Sequence, residues 1–168
     1  MVDVGYFALL LAFLAAGYAA VTSVLGARAR NPQLIASGEH GVLAVWGMLT
    51  LSCGVLVYHL VTGNFQVEYV ASYTSSTLPT FYRVTALWAG QKGSLMLWGW
   101  TLSFFAVLVY LMNRNQNRVL MPYVQAVMMC VTMFFIALNV FFANPFEMLP
   151  FVPVEGQGLN PVLQMPLM

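Results

Sequence analysis

Charged residues are scarce in this sequence, and that scarcity excludes an ordinary soluble fold. Six Lys or Arg and five Asp or Glu occur among 168 residues, so that 7% of the chain is charged. A soluble domain carries about 25% charged residues. The hydrophobic fraction is 61%, which is suited to a lipid environment. The net charge of +1 and the lack of a basic run give no support to nucleic-acid binding.

Long stretches without charge predict four transmembrane helices. A helix needs about 20 apolar residues to cross the bilayer core, and backbone exposed to lipid must be hydrogen-bonded internally. The sequence therefore predicts an all-α integral membrane protein that forms a single membrane domain over residues 1–168. The predicted segments are spans near 4–25, 41–62, 93–112 and 119–142, an ordered outer-face loop at 63–92 and an extended tail at 143–168.

The basic residues favour one orientation in the membrane. Arg28 and Arg30 lie between the first two predicted spans, and Arg114 and Arg118 lie between the last two. Because short basic loops stay in the cytoplasm, both termini, the 63–92 loop and the tail are expected on the outer (periplasmic) side of the cell inner membrane. The outer loop also holds two basic residues, which weakens this bias without reversing it.

Small residues recur along the first predicted span. Alanine occurs at every fourth position, at Ala8, Ala12, Ala16 and Ala20. Such a stripe lets helix backbones approach closely in lipid, so this face is predicted to pack against another helix. Gly99 and Ser103 form a weaker pair of the same kind on the third span.

The cysteines and histidines do not predict a metal or redox site. Cys53 and Cys130 fall within spans and form no CxxC motif, so both are expected to be buried free thiols. His40 and His59 are 19 positions apart on the second span, roughly 28 Å along a helix. They cannot ligate one metal or haem together. His59 could ligate haem with another chain, although an interfacial histidine without a ligand role is the simpler interpretation.

The segment between the second and third spans is rich in aromatic residues. Alternation over residues 65–69 predicts a short extended piece, and Ser and Pro at 75–79 predict a turn. Phe81, Tyr82 and Trp88 suit a membrane interface. A long ordered loop is usually a binding segment, but a plain aromatic belt is the alternative.

In the tail, five prolines and two glycines from 144 to 168 preclude a helix through most of its length.

Three stretches carry a family resemblance. They are VEYVASYTSSTLPTFYRVTALWAGQKGSLMLW (67–98), NPFEMLP (144–150) and PVEGQGLNPVLQ (153–164). The order and spacing of these stretches match along nearly all of the chain, which resembles the N-terminal part of proteins of the CcmF family. These are cytochrome c-type biogenesis (haem lyase) proteins of the haem handling protein group. Gln91 and Lys92 depart from the family pattern, which has a His-Glu pair before the Gly-Ser that here is Gly93 and Ser94.

The resemblance implies a role in cytochrome c maturation, in which family members attach haem to apocytochrome c on the outer face of the membrane. It implies haem b in the complete assembly. The implied partners are the lipid bilayer, a CcmE-like haem carrier, apocytochrome c and the remaining CcmF-like chain, which carries the histidines and the tryptophan-rich segment. This chain alone is expected to be a scaffold, with no catalytic or metal site and no haem of its own.

Four residues are the candidates to line or support a pocket on the outer face: Arg83, Trp88, Gln91 and Lys92. Within the resemblance, Arg83 or Lys92 would pair with a haem propionate. Snorkelling of either side chain at the membrane interface is an equally simple interpretation.

Other functions stay open at this point. A transporter-like or antiporter-like subunit needs ionisable groups inside its spans, and the predicted span cores have none. A quinol-linked cytochrome b anchor needs two histidines at one membrane depth, which this sequence does not offer. A non-catalytic truncated fragment of the family is the third alternative.

Overall fold

The computed structural model describes residues 1–159 and contains four helices that are long and apolar enough to cross a membrane. These are α1 (Val2–Ala29), α2 (Pro32–Thr62), α5 (Gln91–Met112) and α6 (Met121–Phe141), while α3 (Glu68–Tyr73), α4 (Thr80–Thr85) and a 3-10 turn (Ala86–Trp88) lie between α2 and α5. The described residues form no strand, only one isolated antiparallel bridge between Val67 and Met148. The prediction of an all-α, multi-pass membrane protein is confirmed.

Local capping sets where the first two helices meet. Arg30 adopts a left-handed conformation (φ 51°) that ends α1. The Asn31 side chain then accepts hydrogen bonds from the backbone N–H groups of Gln33 (3.0 Å) and Leu34 (3.4 Å), and Pro32 begins α2. The helix α2 thus starts well before the span predicted at 41, because hydropathy locates apolar residues whereas caps define helix ends.

The alanine stripe on α1 is buried, as predicted. Ala12 and Ala16 are completely inaccessible, and Ala8 and Ala20 are nearly so. The helix α1 packs against α2 and α6, and α5 packs against the same two helices. A Cβ atom added at Gly41 of α2 would overlap the Ala19 side chain, so the absence of side-chain atoms is what allows this close contact.

The predicted small-residue pair on α5 is buried too. Gly99 and Ser103 both lie inside the bundle, and a Cβ atom at Gly99 would be in van der Waals contact with Ile136 of α6. A few polar side chains also connect the helices: Ser52 donates to the Gly5 carbonyl oxygen (2.9 Å), and the Trp100 indole donates to the Thr50 hydroxyl (2.9 Å). These bonds supplement a contact surface that is mostly apolar.

The expectation that both cysteines are buried is correct for one of them. Both thiols are free; Cys53 is buried within α2, but Cys130 is exposed on α6. The prediction placed Cys130 in the correct helix but on the wrong face. Gln125, Thr132 and Asn139 recur every seven residues on α6 and are buried, so these polar residues mark the inward face and Cys130 lies away from it.

The connection between α2 and α5 differs in part from its prediction. The predicted extended piece over 65–69 is wrong except at Val67, since the chain turns at 65–66 and α3 begins at Glu68. The alternation of residue types there reflects one buried bridge residue followed by a helical turn. The turn predicted at 75–79 is confirmed, because residues 76–77 adopt a turn. Residues 144–159 of the tail contain no helix, as predicted. Residues 160–168, which include residues 160–164 of the third family stretch, lie outside the described residues.

Candidate functional site

Residues 63–90 and 143–159 fold together over one end of the bundle, and we call this unit the cap. The helix α2 ends below it at Gly63, whose φ of 67° is favourable for glycine. The cap therefore lies where α2 and α6 end and α1 and α5 begin. The described parts of all three stretches that carry the family resemblance belong to the cap or to the first turns of α5.

Tyr69 of α3 is the central buried side chain of the cap, with 2% of its surface exposed. Its hydroxyl oxygen lies 2.9 Å from the Ala86 carbonyl oxygen and 3.0 Å from that of Leu87, and it accepts a hydrogen bond from the Gly90 N–H (3.1 Å). Burial raises the pKa of the phenol, so the hydroxyl keeps the proton that it donates. A Cβ atom at Gly93 would overlap both Tyr69 and the Leu87 carbonyl oxygen.

Arg83 holds three backbone segments together. Its guanidinium donates to the carbonyl oxygens of Val61 (3.0 Å), Ser76 (2.6 Å) and Leu78 (2.9 Å). Val61 belongs to the last turn of α2, where carbonyl groups lack intrahelical partners. The arginine therefore connects the end of a membrane helix to the turn before α4.

Lys92 joins the loop and the tail through two carboxylates. Its ammonium group forms ion pairs with Glu68 and with Glu147, the second at 2.9 Å. The Lys92 ammonium lowers the pKa of the Glu147 carboxyl below its ordinary value. In the amide orientation that satisfies its neighbours, Asn139 of α6 donates to the Lys92 carbonyl oxygen (2.9 Å) and accepts from the Met96 N–H (2.9 Å). The start of α5 is thus fixed by the loop, the tail and α6.

Backbone hydrogen bonds attach the tail along the whole cap. The Glu68 N–H donates to the Glu147 carbonyl oxygen (2.9 Å), and the Gln157 N–H donates to that of Ala71 (2.7 Å). The Glu155 carboxylate accepts from the Ser76 N–H (2.7 Å) and from its hydroxyl, which lowers the pKa of Glu155. The described tail is therefore an ordered part of the cap.

A groove runs down the outside of α5 from the edge of the cap. Its volume is about 510 Å³, and it is lined by Trp88, Ser94, Leu97, Trp98 and Thr101. Trp88 is 46% exposed and Trp98 is 58% exposed. We call this the Trp88 groove; it offers aromatic surface with two hydroxyl groups between the cap and the outward side of α5.

The structure separates the four predicted site residues into two kinds. Trp88 is exposed in the groove, and Gln91 is exposed at the first turn of α5. Arg83 and Lys92 are engaged with carbonyl and carboxylate groups of the cap. The partners of Lys92 were not predicted from the sequence. The available signal was one acidic residue in each of two family stretches, Glu68 and Glu147, together with the basic Lys92.

The histidines occupy opposite situations on α2. His59 is buried, and its Nδ1 lies 3.2 Å from the Asn64 side-chain nitrogen, while its Nε2 has no hydrogen-bond partner among the described residues. His40 is exposed, 19 positions earlier on the same helix. The described residues do not bring the two imidazoles together.

Several known proteins with a similar sequence are much longer than this chain. The chain is 33% identical over 162 residues to the cytochrome c-type biogenesis protein NrfE of Haemophilus influenzae, covering 96% of this chain and 26% of that protein. It is 34% identical to CycK of Rhizobium meliloti, covering 98% and 24%. With CcmF of Escherichia coli it shares 41% identity over 118 residues, or 67% and 18% of the two chains. No family model matches the sequence.

A solved structure has the same fold. It is named cytochrome c heme lyase CcmF, and it superposes with a TM-score of 0.80 at 20% sequence identity over 87% of this chain and 24% of that one. The chain thus spans about a quarter of the length of these relatives. It belongs, as their N-terminal part, to the family of cytochrome c-type biogenesis proteins that includes CcmF, NrfE and CycK.

Proposed function

We propose that this chain is the N-terminal scaffold portion of a CcmF-like haem lyase, which attaches haem to apocytochrome c on the outer face of the membrane. One observation carries the proposal: the stretches that resemble the family are far apart in sequence, yet their described parts meet in one cap above the four-helix bundle. A thioether-forming site must hold a haem vinyl group and a cysteine thiol in a fixed geometry. The cap contributes rigidity and surface to that task, not a reacting group.

Trp88 in the cap and Gln91 in the first turn of α5 are the residues proposed to face haem or the cytochrome, because their side chains are exposed. Arg83 and Lys92 are proposed to support the pocket, since pairing with a propionate would compete with the contacts they already make. The described residues do not fit an axial ligand set for haem b, which a ligand pair from the remaining protein would supply.

The remaining CcmF-like chain is proposed to pack against the outward side of α5. This side carries large exposed apolar residues, among them Trp98 (58%), Phe105 (51%) and Leu111 (51%). The CcmE-like haem carrier and apocytochrome c are proposed to approach the cap. A transporter-like function has less support, because the buried polar residues of the four long helices are Ser, Thr, Asn, Gln and one His near the end of α2, with no Asp, Glu, Lys or Arg among them.

Orientation follows from where the arginines lie. Arg28, Arg30, Arg114 and Arg118 are at the end of the bundle opposite the cap, so we propose that the cap and both termini face the periplasm. In a Cys53→Ala/Cys130→Ala background, Ser75→Cys should react with an impermeant maleimide in intact cells, and Gln116→Cys only after lysis. The reverse pattern would contradict the orientation.

Complementation tests the function. In a bacterium without its CcmF protein, this chain co-produced with the remaining three quarters of a relative should restore covalent haem on cytochrome c, measured by haem staining after denaturing electrophoresis. The chain alone should not.

Trp88→Ala should reduce haem attachment about tenfold, as expected for an aromatic contact residue, whereas Phe81→Ala, an exposed aromatic outside the groove, should not. Equal loss in both variants would argue against the Trp88 groove.

Haem content tests the scaffold role separately. The purified chain should show no stoichiometric Soret band, because one chain can offer an iron only one of its two histidines. Haem should appear when the remaining histidine-bearing portion is co-produced. A one-to-one, bis-ligated spectrum from the isolated chain that is lost on His59→Ala would contradict this proposal.

A further inference from the structure

The end of the bundle opposite the cap contains two adjoining cavities that share Pro32, Ile35 and Arg118. The first, of about 170 Å³, lies between α2, α5 and α6 and is also lined by Arg114 and the Tyr110 side chain. The second, of about 480 Å³, opens between α1, α2 and α6. Its lining includes Arg30, Val119, Pro122 and Tyr123. Both cavities thus lie at one membrane boundary, with Arg118 between them.

The guanidinium groups at these cavities have no ion-pair partner within residues 1–159. The described ion pairs both involve Lys92 at the other end of the molecule. Glu39 also lines the first cavity and reduces its positive charge, but it lies beyond ion-pair distance of Arg114 and Arg118. Three arginines against one glutamate leave this end cationic.

Helix dipoles add little net potential here, because α2 and α6 begin at this end of the bundle and α1 and α5 end there. The helix α2 begins at Pro32 and α6 at Met121, both in the cavity linings. The N–H groups of Gln33 and Leu34 are already bonded to Asn31. The helix ends therefore supply neither free donors nor a net field, and an anion here would be held by the arginines, whose guanidinium groups can bond more than one oxygen.

The second cavity is continuous with surface that lipid chains would cover. Val119 is 86% exposed and the adjacent Leu120 is 60% exposed, and the cavity is also lined by Tyr123, a residue type that is enriched at the level of lipid headgroups. A free phosphate ion would gain nothing from these apolar groups. An anionic phospholipid satisfies both the arginines and the apolar wall.

We propose that Arg30, Arg114 and Arg118 bind the phosphate group of an anionic phospholipid, whose acyl chains lie along Val119, Leu120 and the adjoining surface of α6. Basic pockets between transmembrane helices commonly bind such headgroups. The site would anchor the α5–α6 connection at one depth and hold the bundle in register with the membrane surface.

Native mass spectrometry of the full chain in detergent tests the site. Dioleoylphosphatidylglycerol, cardiolipin and dioleoylphosphatidylcholine are added separately, and bound lipid is measured. The anionic lipids should be retained more than about tenfold better than phosphatidylcholine, and Arg118→Gln should lower their retention about fivefold, the effect of roughly 1 kcal/mol for one basic residue. Arg28→Gln should have little effect, because Arg28 is an exposed arginine at the same end that lines neither cavity.

Additional variants and measurements distinguish the proposed lipid site from its alternatives. Arg118→Lys, which keeps the charge, should retain most of the binding, and far-UV circular dichroism should show unchanged helix content in every variant. Equal loss in Arg28→Gln and Arg118→Gln would overturn the proposal in favour of general charge attraction. Displacement of the lipid by millimolar inorganic phosphate would overturn it in favour of a phosphate-ion site, and equal retention of phosphatidylcholine would overturn it outright.

Discussion

The bundle and the cap of this protein are stabilised in different ways. In the bundle, small residues bring α1 against α2 and apolar side chains fill the remaining space, so that packing supplies most of the contact. In the cap, the helices are one to two turns long and cannot be stable alone. They are fixed instead by side chains that bond backbone groups, above all Tyr69 and Arg83.

This difference indicates where each part is sensitive. A packed apolar helix pair has many equivalent contacts, so changing one lipid-facing residue alters little. The cap depends on a few polar groups, and removing one of them leaves backbone carbonyls without a partner in a buried place. Substitutions in the cap should therefore have larger effects than their size suggests, and substitutions on the lipid-facing surface smaller ones.

The largest effect is expected from Gly93→Ala, where the cap meets α5. The new Cβ atom would overlap the Leu87 carbonyl oxygen and Tyr69, and because one of these is backbone the clash cannot be relieved by a rotamer change. We expect a loss of about 3 kcal/mol in the free energy of unfolding, measured by SDS titration in mixed micelles. Gly47→Ala, which meets open space on α2, should be neutral or slightly stabilising. Similar values for both would show that the cap tolerates crowding.

More of the bundle than of the cap could be predicted from the sequence, and the reason is physical. The four helices follow from composition, and the buried alanines of α1 follow from their spacing, because lipid imposes both rules on any chain. The positions of Tyr69 and Glu147 depend on contacts between residues 17 to 79 positions apart. No periodicity encodes such contacts, so the family resemblance marked the segments without indicating how they meet.

Tyr69→Phe should have the next largest effect. It removes a hydroxyl that donates to the carbonyl oxygens of Ala86 and Leu87 and accepts from the Gly90 N–H. Leaving these buried groups unpaired should cost about 2 kcal/mol, seen as faster amide exchange over residues 86–90. The matched control is Tyr73→Phe in the same helix, whose hydroxyl makes no hydrogen bond with the described residues. A comparable change there would show that the effect does not come from the hydrogen bonds of the Tyr69 hydroxyl.

A smaller effect is expected at Lys92, whose ion pairs are partly exposed: 26% of the lysine side chain and 61% of the Glu147 side chain are accessible. Lys92→Met should lower the free energy of unfolding by about 1 kcal/mol, and Lys92→Arg should restore most of it. Hydrogen exchange at the Glu68 N–H, which bonds to the tail, is the local measurement. If both variants behave alike, the positive charge is not what joins loop and tail.

The same ion pair predicts a pH dependence with a definite sign. Lys92 lowers the pKa of Glu147 in the folded protein below its ordinary value near 4.5, so the stabilisation is present at neutral pH and is lost as acidification protonates the carboxylate. Protection of the Glu68 N–H should therefore be constant near neutrality and fall below about pH 4.5. Lys92→Met should abolish most of this dependence. An unchanged acid response in that variant would assign the titration to another group.

The smallest effect is expected from Glu155→Gln, which tests whether the tail can loosen without the bundle. The carboxylate is exposed and accepts from the Ser76 N–H and hydroxyl, so its loss should speed exchange of the Ser76 and Gln157 amides, the second of which bonds to Ala71. The unfolding midpoint of the long helices should not move, because their contacts lie elsewhere.

Since the folded pKa of Glu155 is lowered, the wild-type tail should also loosen on acidification, whereas the variant should not respond. Glu39→Gln, at the opposite end of the bundle, is the control and should leave both amides protected. A shift of the whole unfolding transition by Glu155→Gln would mean that the tail and the bundle form one cooperative unit, and that the cap is not the separable part that its polar contacts indicate.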